Sequence, residues 1–155
     1  MLRLTLGIAL ALLAGCDGIR GSDQVGAPEA TVKSGDLVDR GLPALTGPQI
    51  QIYLKGSTLF HEGSSRAWYV YLNEDGSMVG LSELLDGSGS ERATGSWNVT
   101  EDDRVCSQWN SDWRGGEFGC ATVYREGDVY VFVRADDGSG DELRRQRLAG
   151  NPKRL

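Results

Sequence analysis

Side chains able to form or break bonds are few and far apart. Cysteine occurs three times, at Cys16, Cys106 and Cys120, and histidine once, at His61. A single His excludes any site built on two imidazoles, and no Cys-x-x-Cys pair offers a redox or zinc centre. His61-Glu62 with Ser64-Ser65 sets a base beside two hydroxyls. A serine nucleophile also needs that base oriented by a third group. No motif supplies one, so the stretch is read as an exposed polar loop. Glu101-Asp102-Asp103 and Asp136-Asp137-Gly138-Ser139-Gly140-Asp141-Glu142 gather the carboxylates that a hard Ca²⁺ ion prefers. The second lacks the full spacing of a helix-flanked calcium loop, and both are read as solvated turns. The expectation is a protein that is not an enzyme, with no catalytic residue, no metal and no cofactor.

Cys16 has a different context. Residues 1–16 read MLRLTLGIALALLAGC. Arg3 gives a positive start, and the apolar run Leu4 to Leu13 is short for a membrane span. Leu13-Ala14-Gly15-Cys16 resembles the lipobox of bacterial lipoproteins. That resemblance implies a signal peptide over residues 1–15, cleavage before Cys16, and diacylation of its thiol, with palmitate-type chains. Each buried CH₂ contributes about 0.8 kcal/mol, so two or three acyl chains anchor a protein firmly. The implied partner is the lipid bilayer, with the folded domain in the periplasm. Asp17 resembles the inner-membrane retention signal of enteric bacteria. That rule varies between bacteria, and inner and outer membrane both stay open.

Cys106 and Cys120 remain as an even pair, which an oxidising compartment would join. Free buried thiols are the alternative. Set opposite each other across a hairpin, they place Val105 against Ala121 and Trp109 against Glu117. Opposed Cα atoms lie about 5.5 Å apart, a span a disulfide fits. Closing a loop of this size contributes roughly 3 kcal/mol in the chain-entropy account. Asn110 to Gly116 then forms the hairpin tip, with Asp112, Trp113 and Arg114 on it and Trp109 at its base. Trp and Arg are frequent binding anchors, so this is a candidate recognition loop. The competing reading folds Trp113 back to plug the end of a barrel.

The elements that would carry these residues are strands. The chain has 155 residues, enough for one domain. Its 22 Gly are about twice the usual share of roughly 7%. The formal charge is −6, which argues against nucleic acid, whose phosphates need neutralising. Residues 16–45 have no sustained periodicity and read as the lipidated Cys and a flexible linker. Leu37, Val38, Leu42 and Leu45 are candidates to dock on the domain that spans 46–155. Thr46-Gly47-Pro48-Gln49 carries cap and first-turn signals. Ile50, Tyr53 and Leu54 make one apolar stripe, and Gly56 can end a short helix. A strand competes there, since Ile50, Ile52 and Leu54 also alternate.

Beyond Gly56 the period is two and turn signals recur. Strands are expected over 57–60, 67–72, 77–81, 92–99, 104–109, 118–124, 128–134 and 143–148. The fold class is all-β with one short N-terminal helix: about eight strands in an up-and-down meander, closed into a small lipocalin-like barrel. Closure removes exposed edges.

Several motifs come in an ordered series: Tyr71-Leu72-Asn73-Glu74-Asp75-Gly76-Ser77, Gly95-Ser96-Trp97, Cys106, Cys120, Val123 to Tyr130, and Gly150-Asn151-Pro152. The series resembles a bacterial family of small exported β-rich proteins, domain of unknown function 995, over about residues 46–152. That family brings no established activity. Lipocalins also use Gly-x-Trp, but at their first strand, so the likeness to them is of shape alone.

Trp68, Trp97, Tyr69, Tyr71, Tyr130 and Phe132 are candidates to line a ligand cavity or to fill a plain core. Arg144, Arg145, Arg147, Lys153 and Arg154 crowd the C-terminus and read as a solvated end. The functional expectation is a membrane-anchored envelope lipoprotein acting as a non-enzymatic interaction module, with inhibition of a hydrolase as one such role. Its rival is a carrier of a small apolar ligand inside the barrel. A filled interior would remove the carrier.

Overall fold

The structure, a computed structural model, describes residues 34–111, 113, 119–134 and 142–155. The expected signal peptide, Cys16 and most of the expected linker lie outside the described residues. Eight strands follow one another: β1 (Ser57–Glu62), β2 (Arg66–Leu72), β3 (Ser77–Leu84), β4 (Ser90–Val99), β5 (Arg104–Trp109), β6 (Gly119–Glu126), β7 (Val129–Arg134) and β8 (Glu142–Ala149). Each pairs antiparallel with its neighbours in sequence, and β1 pairs with β8 to close the barrel. The chain is therefore the expected all-β, eight-stranded, up-and-down barrel.

Side chains on a strand point alternately to its two faces, and the register sorts them. Leu59 faces Val70, Leu72 faces Met78, Gly95 faces Trp109, and Phe132 faces Leu143. These form the inner set. Trp68, Trp97, Tyr130 and Phe132 share that parity. Tyr69 and Tyr71 do not. Alternation within Ala67-Trp68-Tyr69-Val70-Tyr71-Leu72 sends them outward, where Tyr69 meets Phe60 at 4.9 Å and Lys153 at 4.5 Å. Their expected place at the cavity is thus corrected.

One end of the barrel is closed by a helix (Gly47–Leu54). It starts where the cap signals sit: Thr46 donates its backbone N–H to Gln49 Oε1 at 2.9 Å. Lys55 closes the last turn by donating to the Gln51 carbonyl, and Gly56 follows at φ +67°. Helix therefore wins over strand here. Ile50 and Leu54 are fully buried, packed with Leu45, Leu72, Met78, Trp97, Val123 and Tyr130. Tyr53 and Tyr130 sit 6.3 Å apart, Arg125 lies over Tyr53, and Arg147 donates to the Tyr53 carbonyl.

An additional helix (Ser34–Asp39) precedes this one. In chain order these are α1 (Ser34–Asp39) and α2 (Gly47–Leu54). The expectation of one helix is corrected to two, and the expected linker stops short of position 45, because α1 and Leu42 pack on the barrel. Leu37 is fully buried against Tyr124, Val131 and Val133 on the outer face of β6 and β7, with Leu42 beside it. Ala44 pairs with Tyr124, and Leu45 donates its N–H to the Val123 carbonyl. Val38, the other docking candidate, is exposed.

Of the C-terminal bases only Arg154 is exposed as a solvated end would have it; the other four are held by the fold. Arg144 pairs with Glu126, Lys153 pairs with Glu83 at 2.7 Å, Arg147 reaches Tyr53, and Arg145 is buried. An alternating strand that returns to close a barrel must send every second residue inward, whatever its charge.

Candidate functional site: a cavity inside the barrel

In an up-and-down barrel the turns alternate between the two ends. The short turns after β2, β4 and β6 lie with α2 at the closed end. The β1–β2 and β3–β4 connections lie at the other end, the mouth, where β5 and β7 also finish. Between mouth and floor the barrel holds a cavity of about 230 Å³. An engineered apolar cavity of about 150 Å³ binds benzene, so this space suits a somewhat larger molecule.

The walls are mostly apolar. Leu59, Val70, Leu72, Met78, Trp97, Val105, Phe132 and Leu143 line the cavity. Trp97 holds the floor side and donates its indole N–H to the Asn73 carbonyl at 3.0 Å. That bond satisfies the one polar atom of a ring that is otherwise core. Burial pushes the neighbouring Tyr130 phenol above its ordinary value, with Arg125 and Arg147 pulling the other way. Among the described residues the polar lining includes Ser107, Arg134 and Arg145. The sequence reading missed both arginines as site residues. The signal was available: each holds inward parity, Arg134 with Phe132 on β7 and Arg145 with Leu143 on β8.

At the mouth, Trp109 and Trp113 pack edge to face with ring centroids 4.3 Å apart. The Trp113 ring lies on the inner face of β3 at Gly80, where a β-carbon would collide with it and come within 2.8 Å of Trp109. The absent side chain at Gly80 makes the seat for this pair. Across the mouth, His61 stacks on Trp68 at 5.4 Å. Arg66 donates to Ser82 Oγ at 2.6 Å and pairs with Glu91 at 3.2 Å. His61 therefore belongs to an aromatic stack at the end of β1, with Ser64 and Ser65 exposed beyond it.

The disulfide between Cys106 and Cys120 joins β5 to β6, and the expected register holds: Val105 opposes Ala121 and Cys106 opposes Cys120. Their Cα atoms are 4.0 Å apart. That is nearer the spacing of about 4.5 Å typical of a non-hydrogen-bonded pair than the expected 5.5 Å.

Of the tentative binding residues, the structure brings Trp109 and Trp113 together. Asp112 and Arg114 lie outside the described residues, as do Glu117 and the acidic run before β8. Cys16 lies outside them too. Among the described residues no three of His, Cys, Asp and Glu gather to hold a metal, and no helix is long and apolar enough to cross a membrane. Compared with family models, curated proteins and solved structures, the chain has no match.

Proposed function

We propose that this chain is a non-enzymatic binding barrel that carries a small, mostly apolar ligand, held at the bacterial cell envelope by acyl chains on Cys16. The observation that carries the reading is the cavity of about 230 Å³, lined chiefly by Leu, Val, Met, Trp and Phe. A binder of small molecules needs an apolar chamber with few polar groups. The membrane anchor is supported by the lipobox-like residues Leu13-Ala14-Gly15-Cys16, and the domain would then stand in the periplasm. The rival reading, a loop that captures an envelope protein or inhibits a hydrolase, has less support. The ring of Trp113 is packed against Trp109 and Gly80, so it offers a partner less surface than an outward-pointing tip would.

The decisive experiment is calorimetric titration with 1-octanol, a neutral probe of suitable size. The wild-type chain should bind it and melt at a higher temperature in its presence. Ala121→Phe, which projects a ring into the cavity, should abolish binding while keeping the fold. Absence of binding to the wild type would end the carrier reading. The anchor is tested separately by labelling cells with an alkyne fatty acid. Cys16→Ser should carry no label, and equal labelling would remove the lipoprotein reading.

A further inference from the structure

We propose that Ser107 sets the chemistry of the ligand: the carried molecule bears a hydrogen-bonding oxygen partway along an otherwise apolar body, as a ketone or a secondary alcohol does, and that oxygen meets the Ser107 hydroxyl. This rests on the carrier reading above and adds the chemical class of what is carried.

The first observation is position. β5 runs from floor to mouth, and its inward residues are Val105, Ser107 and Trp109, all three in the cavity wall. Successive inward residues on a strand stand about 6.6 Å apart. Ser107 is therefore a polar step between two apolar ones. Val105 lies beside Ala121 on its floor side, and Trp109 beside Gly95 on its mouth side. An oxygen held at Ser107 has apolar wall both above and below it.

The second observation is that this hydroxyl is unused. Trp97 and Gly119 oppose Ser107 on the two neighbouring strands. The indole N–H of Trp97 already donates to the Asn73 carbonyl, and Gly119 has no side chain. Arg134 and Arg145 both have interactions within the fold. Among the described residues none hydrogen-bonds the Ser107 hydroxyl. A buried hydroxyl left without a partner costs more than a made hydrogen bond returns. A pure hydrocarbon that displaced water from Ser107 would leave it bare, whereas an oxygen-bearing ligand would replace the water. A serine hydroxyl both donates and accepts, so it suits a ketone and an alcohol alike.

Size sets the remaining property. Scaling from benzene in a cavity of about 150 Å³, a cavity of this volume takes about nine non-hydrogen atoms. Acetophenone, 1-phenylethanol and cumene share that size and nearly one shape. They differ in carrying a carbonyl, a hydroxyl or a methyl at the same branch.

The test uses the full-length chain in detergent-free lipid nanodiscs, with empty nanodiscs as reference, titrated with these three probes. Ser107→Ala should weaken acetophenone and 1-phenylethanol roughly five-fold or more, the scale of one buried hydrogen bond, and should leave cumene unchanged or tighter. Retained cumene binding also shows that the variant folds. Ser107→Thr, which keeps the hydroxyl, should hold the ketone and alcohol. A readout on the wild type needs no variant: the carbonyl carbon-13 resonance of bound, labelled acetophenone should lie downfield of its position in hexane, as a hydrogen-bonded carbonyl does. A resonance at the hexane position, or a Ser107→Ala variant that treats ketone and hydrocarbon alike, would overturn this inference and leave the carrier reading standing. If none of the three binds the wild type, the carrier reading fails first and this inference with it.

Discussion

The floor and the mouth of this barrel solve the same problem, an open ring of strands, by different means. At the floor a capped helix lays Ile50 and Leu54 across the opening, and both are fully buried. The turns there are short, and polar atoms find backbone partners: Arg147 on the Tyr53 carbonyl, Trp97 on the Asn73 carbonyl, Ser57 on the Leu54 carbonyl. At the mouth the cover seen among the described residues is made of side chains: Trp113 on Trp109, His61 on Trp68, and Arg66 bridging Ser82 and Glu91. Trp113 is only half-buried, whereas Trp97 is 4% exposed. A lid of single side chains can open by rotamer changes, which a docked helix cannot do. Stability is thus concentrated at one end and access at the other.

The two tryptophans sharpen this contrast most. Trp97→Ala should cost about 3–5 kcal/mol of stability in chemical denaturation, as for a large aromatic removed from a core. A loss under about 1 kcal/mol would mean that the floor is not the stable end.

Reduction of the Cys106–Cys120 disulfide should have the next largest effect. The residues are separated by 14 positions, and opening a loop of this size should cost roughly 3 kcal/mol. Thiol counting on the unfolded, unreduced protein should find neither cysteine free, and denaturation with and without reductant gives the magnitude.

Trp113→Ala should cost less, about 1 kcal/mol, because the ring is half-buried and its loss leaves the floor intact. The same substitution should speed ligand release, read by stopped-flow dilution of a bound probe. A loss comparable to that of Trp97→Ala would make Trp113 a structural plug and erase the distinction between the ends.

The smallest effect belongs to the outer wall. Lys153 pairs with Glu83 at 2.7 Å and lies over Tyr69. The hydrogen bond to Glu83 holds the Lys153 pKa above its ordinary value of 10.5. A raised folded value means that the contribution is fully present below that ordinary value and fades as pH rises through the folded one. Lys153→Met should therefore lose a few tenths to about 1 kcal/mol at neutral pH and should flatten the alkaline arm of the stability curve above pH 10.5.

Local chemistry made much of this barrel legible in the chain. Thr46, Pro48 and Gly56 bracket α2, and alternating apolar residues between Gly- and Asp-containing turns mark each strand. The Cys106–Cys120 hairpin could be registered by counting alone. Three things depended on contacts distant in sequence. α1 is six residues with one buried apolar side chain, Leu37, and it exists because β6 and β7 offer an outer face to cover. Nothing local distinguishes Gly80 within its strand, and its role shows only when Trp113 arrives from more than thirty positions away to use the space. Arg145 reads as part of a solvated end because of its residue type, yet alternation places it inside, as it does Arg134. Of the candidate site, the tryptophan pair and two residues of the chamber wall, Trp97 and Phe132, were named from sequence, while the arginines of the lining were not.

The closure between β1 and β8 has a kinetic consequence. Seven of the eight pairings join strands that follow one another, so each can zip from its own turn over a few residues. The eighth aligns Ser57–Phe60 with Gln146–Ala149, ends that are almost a whole domain apart in the chain. Its loop-closure entropy is the largest in the molecule, and contacts of such long range slow folding. This seam is the pairing expected to form last. Until it does, both edges stay unpaired and open to strands of other chains, so the interval before the seam forms is when the chain is most exposed to aggregation.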